Sequence, residues 1–480
     1  MISNINLFPE KDPTITSLIE KIGQFSDLNN FESYIVGGYV RDRILGRSRN
    51  ELDILVVGDG IKFSKLLSKE LGAKNLIIYK NFRTALIELN EVKIEIVGAR
   101  RESYRPTTRK PLVEKGTFED DIKRRDFTIN TIAFSINKDR FGEIIDLFDG
   151  YSDIQRRLIR TPLDPFVTFN DDPLRIMRAF RFATQLKFDV DELTLDAAEE
   201  MRERLKIVSK ERIVDEFFKI LSSEQPSIGL SLMFKTKVLE VLYPEVAAMA
   251  GVEQRKDNHH KDVFWHTLEV LDNVAKVSNN IWLRLAALFH DIAKPITKAY
   301  DEKVGWTFHG HEEMGARMVK KLFQKYKFPI HKIDYVKKLI RLHLRPIALV
   351  DENVSDSALR RLIVSAGDDL NDLITLCRCD ITSKRPEKIQ EYQRNYDLVV
   401  KKIHDVLERD KLRAFKSPVR GEEIMEMFNL TPSKAVGMIK KKIENAILDG
   451  TIPNTYEAAK EFLQQHYDEI SKEIEPYRRN

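Results

Sequence analysis

The sequence predicts an α+β protein, in which a head of mixed sheet and helices is followed by an all-helical body. Three observations carry that prediction. Residues 31 to about 150 alternate short apolar strands with helices. From about residue 152 the strand signal vanishes and apolar residues recur at helical spacing. At 480 residues, with 42% hydrophobic and 32% charged side chains, the chain has material for globular cores. By length alone that is roughly three domains of ~150 residues.

In the head, Ser33 to Val36 reads as a short strand running into Gly37-Gly38. Val40 to Leu45 reads as a helix and Glu51 to Val57 as a strongly apolar strand. Side chains two apart on a strand point the same way, so Glu51 and Asp53 share a face while Leu52 and Ile54 take the other. Neighbouring carboxylates repel unless a cation sits between them. Hard oxygen ligands of this kind suit Mg²⁺, which keeps waters and takes phosphate oxygens. Glycines let backbone N–H groups approach a phosphate where a helix begins, and Arg41 is placed to add charge. Together these residues read as a nucleoside triphosphate and metal site. Asn75 to Tyr79, Arg83 to Leu89 and Val92 to Gly98 read as further strands, the last two joined by a tight Asn90-Glu91 turn. Glu95 alternates with Ile94 and Ile96 there, which makes it a third carboxylate for the site.

In the body, helical patterns run over Leu174 to Leu186, Arg212 to Leu221 and Ile228 to Leu239. A polar, histidine-containing break at Gly251 to Lys261 precedes a second helical block, from Val263 to about Ile381. A polar stretch at Ser383 to Glu387 then leads into a lysine-rich helical C-terminal region. The second block holds six of the ten histidines. His266 lies on the helix Val263 to Ala275, and His290-Asp291 ends the apolar helix Trp282 to Phe289. His309, His311 and His343 follow, and Asp380 closes the set on the helix Leu373 to Ile381. Imidazole and carboxylate together suit Mn²⁺, Ni²⁺ or Fe²⁺, and an Asp beside a ligating His suits a bridging role.

No apolar run approaches the ~20 residues that span a bilayer, and Met1-Ile2-Ser3-Asn4 opens no signal-peptide pattern. Cys377 and Cys379 share one predicted helix, which disfavours a disulfide and fits a reducing cytoplasm. Net charge is only +4, so a polyanion partner must be held by local patches. Such patches lie at Lys401-Lys402, Arg409, Lys411, Arg413, Lys416 and Arg420, and at Lys440-Lys441-Lys442. Their number suits a salt-dependent, shape-reading grip on an RNA duplex.

Four segments stand in order between about residues 33 and 250. They are Gly37-Gly38-Tyr39-Val40-Arg41-Asp42, the Glu51-Leu52-Asp53 strand, Arg124-Arg125-Asp126-Phe127-Thr128-Ile129-Asn130, and Asp172-Pro173-Leu174-Arg175 continuing to Ala183. This order resembles the class II tRNA nucleotidyltransferases of bacteria and eukaryotes, a family that also includes bacterial poly(A) polymerases. The resemblance implies a DNA polymerase β-like head and CCA addition, in which CMP, CMP and AMP from CTP and ATP are joined to the tRNA 3′ end without a nucleic-acid template. It implies Glu51 and Asp53 as Mg²⁺ ligands, beside which the alternation of its strand offers Glu95 as a third catalytic acid. It implies nucleotide contacts from Gly37, Gly38, Arg41, Arg125, Asp126 and Asn130, Arg125 at the triphosphate or ribose.

In that family the segment Asp171-Asp172-Pro173-Leu174-Arg175 replaces a template strand. An aspartate accepts from the exocyclic amine of cytosine or adenine, and an arginine donates to cytosine O2 and N3 or to adenine N1. Uracil and guanine present the opposite order. With Pro173 in the first turn of a helix, Asp172 and Arg175 fall three apart on one face, and Arg178 and Arg181 continue it towards phosphates. The chain departs from the family at Glu51, where Asp is usual, and at Asp171, where Glu is common. The run from Arg100 through Tyr104-Arg105 to Arg109-Lys110-Pro111 resembles the family's mobile loop.

His266, His290-Asp291, His311, His343 and Asp380 resemble the metal-binding residues of HD-domain phosphohydrolases, with His290-Asp291-Ile292-Ala293 in place of the usual HDIG. Phe308 to Ala316 resembles the same family. A 2′,3′-cyclic phosphate or phosphate on a damaged tRNA end is the substrate that this implies. Pro418 to Ile424 and Ala446 to Gly450 resemble the C-terminal part of the nucleotidyltransferases. The division that follows is 1–150 head, 151–255 nucleobase-recognition neck, 256–385 HD domain and 386–480 tRNA-binding region. The implied partners are tRNA, CTP and ATP, with no membrane and no protein partner. Four other readings stay open: a poly(A) polymerase, a CC-only or A-only enzyme, an HD phosphohydrolase with a non-catalytic RNA-binding head, and a non-catalytic tRNA-binding or chaperone protein.

Overall fold

A computed structural model describes residues 13–79, 83–105, 108–253, 262–349, 355–382, 386–410 and 417–477. The chain divides into two compact units, 1–247 and 248–480. Among the described residues, no helix is long and apolar enough to cross a membrane.

The first unit begins with α1 (Pro13–Leu28), β1 (Glu32–Val36), α2 (Gly38–Ile44), β2 (Glu51–Val57) and α3 (Gly60–Glu70). Strands β3 (Asn75–Tyr79), β4 (Thr84–Leu89), β5 (Val92–Gly98), β6 (Arg100–Arg105) and β7 (Thr108–Lys115) follow, then α4 (Phe118–Lys123), β8 (Ala133–Ser135) and β9 (Ile144–Ile145). Seven of these strands form one sheet in the order β3-β4-β5-β2-β1-β8-β9. Only β2 and β5 run parallel, and their register sets Asp53 against Glu95. Parallel neighbours need a crossover, which α3 and the β3-β4 hairpin supply. Asp59 caps α3 by accepting from the Lys62 N–H. At Gly60 a Cβ would lie 2.6 Å from the Gly98 nitrogen, so the helix starts directly against the end of β5. Leu52, Ile54, Ile94 and Ile96 are fully buried, while Glu51 and Asp53 take the opposite face of β2.

The strand limits expected at 51–57, 75–79 and 92–98 are the observed ones, and Asn90 turns β4 into β5 at φ 53°. Within the segment expected as a loop, 100–111, residues 100–105 and 108–111 belong to an antiparallel pair of strands, β6 with β7. Its residues alternate too weakly between apolar and polar for a strand to be read from the sequence. The rest of the unit is α5 (Gly150–Arg156), β10 (Leu158–Ile159), α6 (Pro165–Asp171), α7 (Leu174–Leu186), β11 (Asp189–Val190), α8 (Glu192–Glu200), α9 (Lys210–Leu221), α10 (Ser227–Lys235), α11 (Val238–Leu242) and α12 (Pro244–Ala247). The expected helix 228–239 is broken, because Thr236 bonds back to the Leu232 carbonyl and Lys237 turns left-handed at φ 55°.

The second unit contains α13 (Val263–Val277), α14 (Ile281–Phe289), α15 (Lys294–Thr297), β12 (Ala299–Asp301), β13 (Gly305–Thr307), α16 (His311–Tyr326), α17 (Ile333–Leu342), α18 (Asp356–Ala366) and α19 (Leu370–Asp380). The α14 segment Leu283–Phe289 is buried throughout. Arg284 is tolerated inside it because its guanidinium donates to the Ala275 and Ser278 carbonyls at the end of α13. Then come α20 (Pro386–Asp410), α21 (Gly421–Phe428), α22 (Lys434–Leu448), α23 (Tyr456–Gln465) and α24 (Tyr467–Ile474). The last four enclose their own core of Ile424, Phe428, Ile439, Ile443, Leu463 and Ile470. Two short pairs, β10-β11 and β12-β13, interrupt a body expected to hold no strand. They are two and three residues long, below what periodicity can register. Of the breaks read from the sequence, residues 254–261 and 383–385 lie outside the described residues, as does Met1–Asn4.

Replacing Gly60 with Ala forces backbone apart where α3 meets β5. The variant is expected to lose roughly 1–3 kcal/mol in urea unfolding, and an unchanged midpoint would contradict that packing.

Candidate active site and metal centre

The head site starts from the turn into α2. Gly37 sits at φ 73°, which a side chain adopts only under strain, and a Cβ there would lie 3.2 Å from both Asp53 Oδ2 and Arg125 Nη1. The following Gly38 N–H donates to the Asp53 carboxylate. Burial pushes Asp53 above the usual carboxylate range, against Arg49 and Arg125. Burial raises Glu95 as well, and Asp53 adds to it. Two neighbouring acids that resist ionising together are what a divalent cation relieves, so the pair fits such an ion with waters and phosphate completing its shell.

Glu51 is placed differently. Its carboxylate is about half exposed and takes the Arg49 guanidinium at 2.6 Å, while Arg49 also reaches Asp42 at 3.1 Å. Among the described residues, Glu51, Asp53 and Glu95 do not converge as one ligand cluster. Sequence reasoning missed Arg49, whose only signal was a place two residues before the acid-x-Asp strand.

A cavity of about 340 Å³ opens over β2 and β5, and its walls include Asp53, Glu95, Arg125, Asp172, Arg175 and Arg212. Asp126 and Arg178 also line it, whereas Gly37, Gly38, Arg41, Glu51, Asn130 and Arg181 lie outside the lining. Behind that wall runs a bonded chain. Arg41 donates to Asn130 at 2.9 Å, Asn130 donates to Asp126 at 3.0 Å, and Arg178 donates to Asp126 from Nε at 2.7 Å. Burial would raise Asp126, but Arg178, Asn130 and Arg175 outweigh it and hold the carboxyl well below the usual range. Arg181 pairs with Glu216 at 3.0 Å and stacks on the Phe182 ring at 4.2 Å, with Arg41 and Arg178 over the same ring. Arg125 pairs with the buried Asp121 at 3.2 Å.

Asp172 and Arg175 meet in the cavity, but not on one helix as expected. Asp172 ends α6 in extended conformation, and Pro173 occupies the N-cap of α7, so the chain bends between them. A proline disfavours helix in the residue before it, which is why Asp172 is extended. Arg175 spends two donors on the Thr168 and Arg124 carbonyls. Asp172 accepts from the Leu174 N–H at 3.2 Å and from Arg212 at 3.0 Å. Arg212, on α9, is a second residue that sequence reasoning missed.

In the second unit, six of the seven residues singled out come together. His266, His290 and Asp380 form one group and Asp291, His311 and His343 another, each with ligand atoms within 4.8 Å of one another. The Asp291 carboxylate joins the two, with Oδ2 at 3.2 Å from His290 Nε2 and Oδ1 at 3.3 Å from His311 Nε2. Three rings are oriented by backbone carbonyls on Nδ1: His290 by Ala287 at 2.7 Å, His311 by Phe308 at 2.8 Å and His343 by Ile340 at 2.6 Å. His266 Nδ1 meets Thr382 Oγ1 at 2.9 Å. This leaves each Nε2 facing inward, as a metal ligand requires. His290 Nε2 and Asp291 Oδ1 are buried without a properly directed hydrogen bond, as donor atoms kept for a metal would be. That donor set fits one or two divalent ions. Burial lowers His343 to about 4, and it opposes Asp291 and Asp380, which lift His290 to about 10. Lys294 reaches Asp291 Oδ2 at 2.6 Å. His309, also in the expected set, belongs to neither group.

The basic tail is partly neutralised. Arg409 pairs with Asp356 at 2.6 Å, and Lys442 pairs with Glu469 and Glu473 at 2.9 Å. Lys411, Arg413 and Lys416 lie outside the described residues.

Comparison with known proteins follows the same layout. A model of the poly A polymerase head domain matches residues 33–160, one for a probable RNA and SrmB-binding site of polymerase A matches 187–249, and an HD domain model matches 263–372. The A-adding tRNA nucleotidyltransferase of Deinococcus radiodurans is 29% identical over 73% of this chain and 80% of its own. For the CC-adding tRNA nucleotidyltransferase of Thermus thermophilus the identity is 28% over 90% and 93%. The Multifunctional CCA protein of Shewanella frigidimarina is 31% identical over 62% and 70%. A solved apo form of a CCA-adding enzyme shares the fold at TM-score 0.65, with 24% identity over 95% of this chain and 96% of that one. Nucleotidyltransferase and HD domains both imply divalent metals.

Two outcomes follow from these sites. The Asp126 pairs stabilise the unit fully above the unfolded carboxyl value of about 4, and that stability is lost as pH falls towards the lower folded value. Asp126→Asn is therefore expected to cost about 3 kcal/mol at neutral pH and to flatten the acid side of a melting-temperature profile; an unchanged profile would contradict the network. Mn²⁺ added to chelator-treated protein at about a hundred times its dissociation constant is expected to stabilise the second unit by about 2.7 kcal/mol. An equal gain in Asp291→Ala would place the ion elsewhere.

Proposed function

The chain belongs to the tRNA nucleotidyltransferase family that joins a poly(A) polymerase head to an HD domain, and within it we propose that this enzyme adds CCA to tRNA 3′ ends. The observation that carries the proposal is one cavity holding both an acid pair and a base-reading pair. Asp53 and Glu95 stand on neighbouring parallel strands, and Asp172 and Arg175 stand across from them. Asp172 accepts the exocyclic amine of either cytosine or adenine, and Arg175 donates to the ring edge. Uracil and guanine would set a carbonyl against the carboxylate. Arg125 supplies positive charge to the triphosphate, and Gly37 keeps the α2 entrance clear of a side chain.

Mg²⁺ would be held by Asp53 and Glu95, joined by Glu51 once Arg49 releases it, and would activate the tRNA 3′-hydroxyl and neutralise the leaving pyrophosphate. The finer division into head, neck, HD domain and C-terminal region, at about residues 150, 255 and 385, belongs to the same proposal. So does an RNA grip through Lys401, Arg420, Lys440 and Lys441. In the HD domain, His266, His290, Asp291, His311, His343 and Asp380 would hold Mn²⁺, Ni²⁺ or Fe²⁺ for phosphoester hydrolysis at damaged tRNA ends. Two buried thiols, Cys377 and Cys379, fit a reducing cytoplasm.

The second reading is a CC-only or A-only enzyme, favoured by the similarity to the Thermus and Deinococcus relatives of those names. Transcripts ending before CCA, after C and after CC, each given CTP, ATP or both, separate these. The proposal predicts two CMP and one AMP, in that order, on the shortest transcript. Arrest after CC, or activity only on the CC end, supports the second reading. Asp53→Ala is expected to abolish incorporation with every transcript while sparing metal-dependent phosphatase activity; surviving incorporation would refute the acid pair.

A further inference from the structure

We infer that Arg212 is a specificity-determining positioning residue, which fixes the carboxylate of Asp172 so that it reads the base. The inference rests on the base-reading role proposed above for Asp172 and Arg175. Asp172 lies at a chain bend, outside regular helix, so the helix does not by itself orient its side chain. Its carboxylate has two anchors. Oδ1 accepts from the Leu174 N–H at 3.2 Å and Oδ2 from Arg212 Nη2 at 3.0 Å. With one anchor the carboxylate plane can rotate; with both, the remaining lone pairs point one way. In this ion pair it accepts and cannot donate, which is the property that rejects uracil and guanine.

Two features argue against a merely structural role. The Arg212 side chain is 43% exposed, and half-exposed ion pairs add little stability. It also stands in the first turn of α9, where the helix dipole disfavours a cation. An arginine held against that local preference, in the cavity wall and bonded to the base-reading acid, is placed for Asp172. Arg175, by contrast, is already anchored by the Thr168 and Arg124 carbonyls, so Arg212 completes the fixing of the pair.

The test is steady-state incorporation of CTP, ATP, UTP and GTP by the full-length Arg212→Ala, Arg212→Lys and Asp172→Asn variants on tRNA lacking CCA. For Arg212→Ala the KM for CTP and ATP is expected to rise about tenfold and discrimination against UTP and GTP to fall about tenfold. Its kcat at saturation should stay within about threefold. Arg212→Lys should restore part of the discrimination. Unchanged discrimination in Arg212→Ala, or an equal loss for all four nucleotides, would overturn the inference. Asp172→Asn separates the two levels. If it changes discrimination while Arg212→Ala does not, positioning fails and base reading stands; if neither does, base reading itself fails. Should Arg212→Ala not fold, Arg212→Gln is judged by the same criteria.

Discussion

The parallel pairing of β2 with β5 is the constraint on which the head depends. It sets Asp53 beside Glu95 in a sheet whose other pairings are antiparallel. Parallel neighbours cannot be joined by a hairpin, so α3 must cross over, and Gly60 must pack directly on Gly98 for it to do so. The isoleucines that alternate with the acids anchor the strands from the buried face. What remains on the other face is negative charge in a partly desolvated cavity, a state that costs free energy until a cation and a triphosphate share it. The arginines around the cavity answer the same need from the helical side.

Those arginines divide by partner. Arg178 and Arg181, which equal spacing suggests as a row of phosphate contacts, are tied to Asp126 and Glu216. Together with Arg41 they surround Phe182, so much of the positive charge near α7 serves to lock that helix onto the Arg124–Asn130 segment. The metal centre of the second unit follows the opposite logic. There, backbone carbonyls bind the outer nitrogen of three histidines and leave the inner nitrogens crowded around Asp291. In the head, arginines are paired with acids around the cavity; in the second unit, imidazole nitrogens converge on carboxylates.

Much of this was legible in the sequence wherever a residue pattern repeats along one element. Strands 51–57, 75–79 and 92–98 were readable as short apolar runs, with acids alternating against apolar residues at 51–54 and 94–96, and a buried face then sets the register. The six histidine and aspartate ligands were readable as a set, since such residues rarely gather in one apolar helical block by chance. Long-range partners were not. Nothing local marks Arg49 as the residue that occupies Glu51, or Arg212 as the partner of Asp172 forty residues away. The kink at Pro173 was readable in principle, because a residue before proline leaves helical conformation. The 100–115 ribbon was not, since its basic residues mask any alternation.

A crystal of the protein soaked with CTP and Mn²⁺ tests the head most directly, since manganese replaces magnesium and is located by anomalous scattering. The account predicts a peak between the Asp53 and Glu95 carboxylates, with the cytosine amine against Asp172. A manganese peak absent from that strand pair, or a base stacked elsewhere, would contradict it.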